Sequence, residues 1–316
     1  MKRIGVLCGS HDAFPQALID RIDSKRPPGL HAEHVKVGSV PMDVASIYDV
    51  ILDRISHEIP FYRAYLKNAV LHGSVVMNNP FWLSADDKFF NYSIAAKLEV
   101  ATPKTVLLPH KHHPPGTSTG SLRNLKYPLD WDYIFHYIGF PAYLKPHTGT
   151  GWKNVERVHN PQEFFAAYDR SGDLCMVLQE AIEFDDYFRC FVVGQQRVHV
   201  MRYDPRRPVH ERYLRNSFSS DPGVHFQIVS DCLKLCRTLG YDLNTVEWAV
   251  RGGVPYAIDF LNPAPDTDIH SIGRENFEWI VESVADLAIY AAETGMSPYH
   301  EMRWQSFLQG AAPAGA

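Results

Sequence analysis

A chain of 316 residues exceeds the length at which one hydrophobic core usually stops growing, so two or three subdomains are expected. Its 45% apolar content supplies those cores, and a formal net charge of −5 gives no basic field that would draw it to nucleic acid or an anionic membrane. No apolar run approaches the roughly 20 residues a spanning helix needs, and Ile4–Cys8 is too short for a signal-peptide core, so a cytoplasmic chain is expected.

Five scattered cysteines (Cys8, Cys175, Cys190, Cys232, Cys236) suit a reducing compartment better than a disulfide framework. Cys232 and Cys236 share a helical pattern without a second Cys/His pair at matching spacing, and read as buried thiols rather than half a metal site.

The first segment, to residue 83, alternates strand and helix signals. Arg3–Leu7, Val50–Leu52 and Ser74–Met77 read as strands, and Pro15–Ile22 and Pro60–Leu71 as helices. That alternation argues for an α/β layer with a mostly parallel sheet. Ser84, with an acid three residues on, predicts a helix N-cap and a helix through Lys88 to about Leu98. Thr105–Leu108 is a strand, and residues 109–130 form a Pro-, Gly-, Ser- and His-rich loop. Tyr143–Lys145 is a strand entering a glycine-rich turn, and Asn160-Pro161-Gln162-Glu163 is a helix start. Met176–Gln179 is a strand. Phe188–Val193 and Arg197–Tyr203 read as a hairpin around Gly194-Gln195-Gln196. His225–Leu239 is an amphipathic helix stopped by Gly240, Val246–Val250 and Tyr256–Phe260 a second hairpin, and Phe277–Ala292 the last helix.

Three features carry chemistry. Lys88 opens a helix. Lys145 ends a strand and precedes Gly149 and Gly151, where backbone amides can approach an anion closely. Glu247, Asp259 and Asn262 lie on the last hairpin, and two carboxylates with an amide oxygen are hard ligands suited to magnesium on phosphates. None is specific alone; their order is. A Gly-x4-Gly-Lys-Ser/Thr phosphate loop is absent.

In that order of elements the chain resembles the ATP-grasp superfamily, especially the branch with glutathione synthetase and the ribosomal-protein glutamate ligase. The resemblance spans roughly residues 75–265, and the front domain more loosely. It is carried by Asp86-Asp87-Lys88, Leu144-Lys145-Pro146 with its glycine loop, Val177-Leu178-Gln179-Glu180-Ala181-Ile182, Arg189-Cys190-Phe191-Val192-Val193-Gly194, Arg215-Asn216 and Glu247…Asp259…Asn262-Pro263. It implies an α/β (α+β) ATP-grasp fold. An N-terminal α/β pre-ATP-grasp domain would occupy 1–83, a central subdomain with the glycine loop 84–180, a C-terminal subdomain with the magnesium site 181–300, and a tail 301–316.

The resemblance also implies ATP and Mg2+ as cofactors, and an ATP-dependent, ADP-forming carboxylate–amine ligase acting through an acyl phosphate. Small-molecule carboxylate and amine substrates are expected, an amino acid or peptide among them, with neither nucleic acid nor membrane as partner; a homodimer is compatible. The same scaffold also hosts small-molecule kinases and non-catalytic ATP-binding proteins, and fold alone does not separate these.

Residue by residue, the resemblance assigns Lys88 and Lys145 to the ATP phosphates, and Gly149 and Gly151 to a flexible loop over them. Gln179, Glu180 and Ile182 match the hinge that reads adenine, and Asp185 or Asp186 the acid that holds ribose. Arg189 and Arg215 lie near the transferred phosphoryl group, with Asn216 following, and Arg189, Arg215 and Lys145 are the catalytic candidates. Glu247, Asp259 and Asn262 are the metal candidates. The family commonly has Glu-x-Asn, whereas Asp259-Phe260-Leu261-Asn262 is one residue longer, so either the chain bulges here or Asn262 is not a ligand.

Other motifs have plainer readings. Gly116-Thr117-Ser118-Thr119-Gly120 matches a nucleophile elbow but lacks a strand before it and a helix after it. His110, His112 and His113 read as solvated side chains of a proline-rich loop. Arg54, beside Asp53 and Ser56 after a front strand, is either a holder of substrate carboxylate or half of a surface ion pair. Trp152 either covers nucleotide or packs.

Overall fold

The computed structural model describes residues 1–9, 13–25, 28–85, 87–149, 153–214, 221–260 and 262–297. Its front layer is a parallel sheet. β1 (Lys2–Leu7) pairs with β2 (Leu30–His34) and β3 (Val50–Asp53), and β3 with β4 (Val75–Met77), giving the order β2-β1-β3-β4. All four residues of β3 are buried, as expected of a parallel strand covered on both faces. The covers are α1 (Phe14–Ser24), which buries Leu18, Ile19 and Ile22, and α2 (Pro60–Leu71), which buries Tyr65, Leu66 and Ala69. Both carry proline in the first turn, where its missing N–H costs nothing.

The helix expected to begin at Ser84 is two helices. Ser84 lies inside α3 (Pro80–Ala85), and α4 (Lys88–Lys97) is capped by Asp87, whose carboxylate accepts from the Phe90 amide at 2.8 Å. An acid that satisfies a free first-turn amide and meets the positive end of the helix outcompetes the serine upstream.

The middle layer is antiparallel: β5 (Thr105–Leu108), β6 (Ala142–Pro146), β7 (Glu156–Val158) and β8 (Met176–Glu180), in the order β5-β8-β6-β7. α5 (Trp131–Ile138) and α6 (Pro161–Arg170) pack on it through Trp131, Phe135, Phe164 and Tyr168. Asn160 caps α6, accepting from the Glu163 amide at 2.8 Å. The long loop contains one 3-10 turn, Thr119–Leu122, and is tied down by His112 N donating to Gly172 O at 2.8 Å and a 2.7 Å contact of His110 Nδ1 with Asp173 O. Ser118 therefore sits in a capped turn, not on a strand-to-helix elbow.

The last layer comprises β9 (Asp186–Val193), β10 (Arg197–Arg202), β11 (Leu243–Arg251) and β12 (Val254–Asp259), antiparallel in the order β10-β9-β11-β12. Gly194-Gln195-Gln196 turn the first hairpin in a three-residue loop with Gly194 and Gln195 at positive φ, and Gly252-Gly253 turn the second, both at the positive φ that a two-residue hairpin requires. α7 (Pro222–Leu239) covers the outer face and stops at Gly240, whose φ of 80° is left-handed. Cys232 and Cys236 are buried there, Cys232 Sγ accepting from the Trp248 indole at 3.2 Å. After α8 (Ile269–Ile272), α9 (Arg274–Thr294) runs between front and last layers: Ile280, Val284 and Ala288 share one core with Ile4, Val6 and Leu52 on one side and Phe191 and Val193 on the other. No helix among the described residues is long and apolar enough to cross a membrane.

Candidate active site

A 1080 Å3 cleft lies between the middle and last sheets. Lys145, on β6, and Gln179, on β8, belong to one wall; Glu247, on β11, and Asp259, at the end of β12, belong to the other. The front layer closes one end with His57, Glu58 and Arg63.

Two lysines meet here by different routes. Lys88 is the first residue of α4; its amide donates to His147 O at 2.8 Å, and its ammonium donates to Gly149 O. The helix start is thereby laced to the glycine turn after β6. Gly149 has φ 94°, which a side chain would resist. Lys145 is 6% exposed, and its ammonium donates to the Tyr92 hydroxyl at 2.8 Å. Tyr92 is one helical turn beyond Lys88, and its hydroxyl in turn donates to Ile258 O on β12. Burial lowers the pKa of Lys145, opposed by the charges of Asp259 and Glu247.

The acidic pair is set by strand register. Glu247 pairs directly with Asp259, but Trp248 pairs with Ala257, so Ile258 is an extra residue in β12. A bulge of this kind re-aims side chains beside a site. The Glu247 carboxylate accepts from the Tyr187 hydroxyl at 2.6 Å and lies 3.6 Å from Arg189 Nε. Burial raises its pKa, with Asp259 adding in the same direction and Arg189 opposing. Arg189 is almost enclosed, donating to the Tyr213 hydroxyl at 3.0 Å, and its Nε finds no hydrogen-bond partner among the described residues. It stands behind Glu247 rather than in the cleft wall. Asn262 donates its amide to Thr245 Oγ1 at 2.9 Å and its backbone N–H to Asn244 Oδ1 at 3.0 Å; Pro263, not Asn262, reaches the cleft wall.

At the other end, Gln179, Glu180, Ala181 and Ile182 line the cleft as β8 ends. Gln179 donates to Thr105 Oγ1 at 2.9 Å, and Glu180 accepts from Arg251 at 3.0 Å. Neither candidate ribose acid is in the wall. Asp186 pairs with Arg202 at 2.9 Å, and Asp185 accepts from the Gly252 amide at 3.0 Å. The acid that lines the cleft just after β8 is Glu183, paired with Arg157, which also lines the cleft.

Gly151, Trp152, Arg215 and Asn216 lie outside the described residues. Arg54 donates to Pro265 O at 3.0 Å and Thr267 Oγ1 at 2.9 Å, and its guanidinium covers the Phe14 ring. Asp53 accepts from the amides of Ile55 and Ser56 at 3.1 and 2.9 Å and so builds the turn after β3.

Sequence reasoning missed Tyr92, Tyr187, Glu183, Arg157 and the front-layer trio. Tyr92 was available as an i,i+4 neighbour of Lys88 on one helix face. Glu183 follows the hinge by one residue. The front-layer trio follows a strand end but carries no spacing signal.

Among the described residues no group of three or more His, Cys, Asp or Glu gathers as for a metal. Two carboxylates on adjacent strands are nonetheless a hard-donor pair of the kind magnesium accepts alongside phosphate oxygens.

No family model matches the chain, and no curated protein matches it significantly. Solved structures do match. The RimK domain ATP-grasp protein from Sphaerobacter thermophilus DSM 20745 superposes with a TM-score of 0.65 at 16% identity, covering 91% of this chain and 99% of its own. D-alanine–D-alanine ligase from Bacillus anthracis, complexed with ATP, gives 0.63 at 15% identity, covering 93% and 98%. The ATP-grasp ligase PsnB, complexed with precursor peptide PsnA2 and AMPPNP, gives 0.60 at 13% identity, covering 92% and 98%. At these identities the likeness establishes the fold: the chain has the ATP-grasp fold.

Proposed function

We propose that the chain is an ATP-dependent, ADP-forming ligase that joins a carboxylate to an amine through an acyl phosphate. One observation carries the reading: Lys88 and Lys145 share a cleft with the registered pair Glu247–Asp259, so cationic and acidic groups flank one space able to hold a triphosphate. The names of the matching structures, which include ligases, support it from outside.

In this reading Gln179, Glu180 and Ile182 form the adenine hinge, and Glu183, rather than Asp185 or Asp186, is the acid placed for ribose. Lys88 and Lys145 hold phosphate oxygens, and Gly149 lets the backbone approach them. Glu247 and Asp259 would hold Mg2+, which when bound neutralises phosphate oxygens during transfer. Asn262 is the lesser ligand candidate, its amide already engaged by Thr245. The chain does little covalent chemistry: it orients the substrate carboxylate toward the γ-phosphate, keeps water from the acyl phosphate, and offers the carbonyl carbon to the amine as phosphate leaves. In this reading the chain keeps an N-terminal (1–83), a central (84–180) and a C-terminal (181–300) part, supported by the one sheet that each stretch contributes, while the tail, 301–316, lies outside the described residues.

The test is ADP formation with Mg2+, pools of carboxylic acids, and hydroxylamine as amine. Hydroxamate formed together with ADP supports the acyl phosphate route. ADP appearing only with hydroxyl compounds, without hydroxamate from any pool, would make the chain a kinase.

A further inference from the structure

The end of the cleft away from the hinge is built by the front layer. The turn after β3 presents His57 and Glu58, and the first turn of α2 presents Arg63. This wall adjoins the chain just after Asp259. Arg54 clasps Pro265 and Thr267, and Asn78 donates to Pro263 O at 3.4 Å, while Pro263 itself lines the cleft. A molecule filling this end therefore lies next to the acidic pair.

Arg63 is held before any ligand arrives. Its Nε donates to Ser56 O at 3.2 Å and its Nη2 to His57 O at 2.9 Å. Both partners are neutral carbonyls, and no carboxylate among the described residues forms an ion pair with it. With Nε and Nη2 so engaged, Arg63 lines the cleft as a fixed, charged fork, the kind of group that binds a planar oxyanion. Burial lowers the pKa of His57, so near neutrality Arg63 supplies the positive charge of this wall. Glu58, 3.7 Å from His57, adds a negative charge that a dianionic phosphate would meet and a carboxylate would meet less strongly.

We propose that Arg63 anchors a subsite for a free carboxylate carried by one of the two substrates, distinct from the carboxylate that is activated. The subsite rests on the ligase reading and narrows it: the substrates include an amino acid, a peptide end or a dicarboxylic acid, and not a phosphorylated compound.

The intact chain, with magnesium and a non-hydrolysable ATP analogue, is presented with two matched pools. One holds L-amino acids and short dicarboxylic acids; the other holds the same compounds with one carboxylate converted to the carboxamide. Binding is read by saturation-transfer NMR, and hydroxamate formation is followed with ATP. Transfer to the first pool alone, lost in Arg63→Ala and in Arg63→Gln and not displaced by inorganic phosphate, is the expected result. Removing the charged fork should weaken binding by about tenfold to hundredfold. Arg63→Gln retains a side-chain donor for the turn, and melting curves show whether either variant has lost its fold. Equal transfer to both pools, transfer to neither, displacement by phosphate, or binding unchanged in folded variants overturns the subsite. Carboxylate-selective binding through Arg63 with no hydroxamate sinks the ligase reading alone, and hydroxamate made equally from the carboxamides sinks the subsite alone.

Discussion

Replacing Tyr92 by Phe removes one oxygen from the centre of the cleft. That hydroxyl accepts from the Lys145 ammonium at 2.8 Å and donates to Ile258 O, the carbonyl of the bulge that brings Asp259 opposite Glu247. The ring itself is retained by its edge contact with Phe260, at 5.3 Å between centroids, and by the ammonium over its face at 5.1 Å, so no cavity forms. A bond to a charged group is worth about 1.5–3 kcal/mol and a neutral one about 0.5–1.5, so the variant should lose about 2–4 kcal/mol of stability. If the freed ammonium wanders by even part of that energy, kcat/KM should fall by roughly tenfold to hundredfold, since 1.36 kcal/mol is tenfold in rate. Urea denaturation reads the first effect, and hydroxamate formation under saturating Mg-ATP reads the second. A variant as stable and as active as the parent refutes the idea that Tyr92 positions Lys145. Lost stability with unchanged kcat/KM would confine Tyr92 to the packing of β12.

Further tests probe other parts of the same picture. Lys145→Ala should cost far more turnover than Lys153→Ala, because Lys145 is buried among the acidic pair and Tyr92 whereas Lys153 is an exposed lysine at the cleft rim; equal losses in steady-state assays would argue against the assignment. Asp242 is buried, and burial raises its pKa from the ordinary 3.8 to about 7. A carboxyl raised in the folded state favours folding below its unfolded pKa, and that contribution disappears as pH rises through about 7. Melting temperature should therefore fall between pH 4 and 7 in part because of Asp242, and Asp242→Asn should flatten that slope; an unchanged slope in the variant contradicts the assignment. Gly240→Ala meets two obstacles, a left-handed φ of 80° and a new Cβ 1.9 Å from Trp82 Nε1. A loss of roughly 2–5 kcal/mol by chemical denaturation is expected, and a loss below about 1 kcal/mol would show that Trp82 swings aside freely.

Much of this was readable in the sequence where one local rule acted without a rival. Pro60 and Leu71 bound a helix at both ends as expected, Gly240 ended α7, and Gly194-Gln195-Gln196 and Gly252-Gly253 made hairpins. The short elements β2, β7, α3 and α8 were not legible: three to six residues carry too little periodicity, and partners far along the chain hold them in place. Among site residues, Lys88, Lys145, Gly149, Gln179, Glu180, Ile182, Glu247 and Asp259 fall in one cleft because strand ends and a helix start bring them there. The exceptions are instructive. Asp186 points to Arg202 across the β9–β10 ladder, where an oppositely charged neighbour on the adjacent strand is invisible to linear spacing. The extra residue before Asn262 left two options open; the bulge exists, but at Ile258, and the Asn262 amide is taken by Thr245. Arg63 could not be singled out, since only the fold places α2 at the end of the cleft.

The position of α9 has a consequence for how the chain is made. The front sheet is complete by Met77, yet α9, which joins α1 on its inner face, is the last element among the described residues, and Lys2 reaches Ala292, 290 positions away in sequence, to join the first strand to that helix. During synthesis the front strands must wait with one apolar face covered only in part, by α1, while the middle layer, whose core draws on none of these residues, can already close. Contacts of such long range are slow to form. The order in which the layers become stable is thus not the order in which they are translated: the front sheet leaves the ribosome before the middle one and is finished after it.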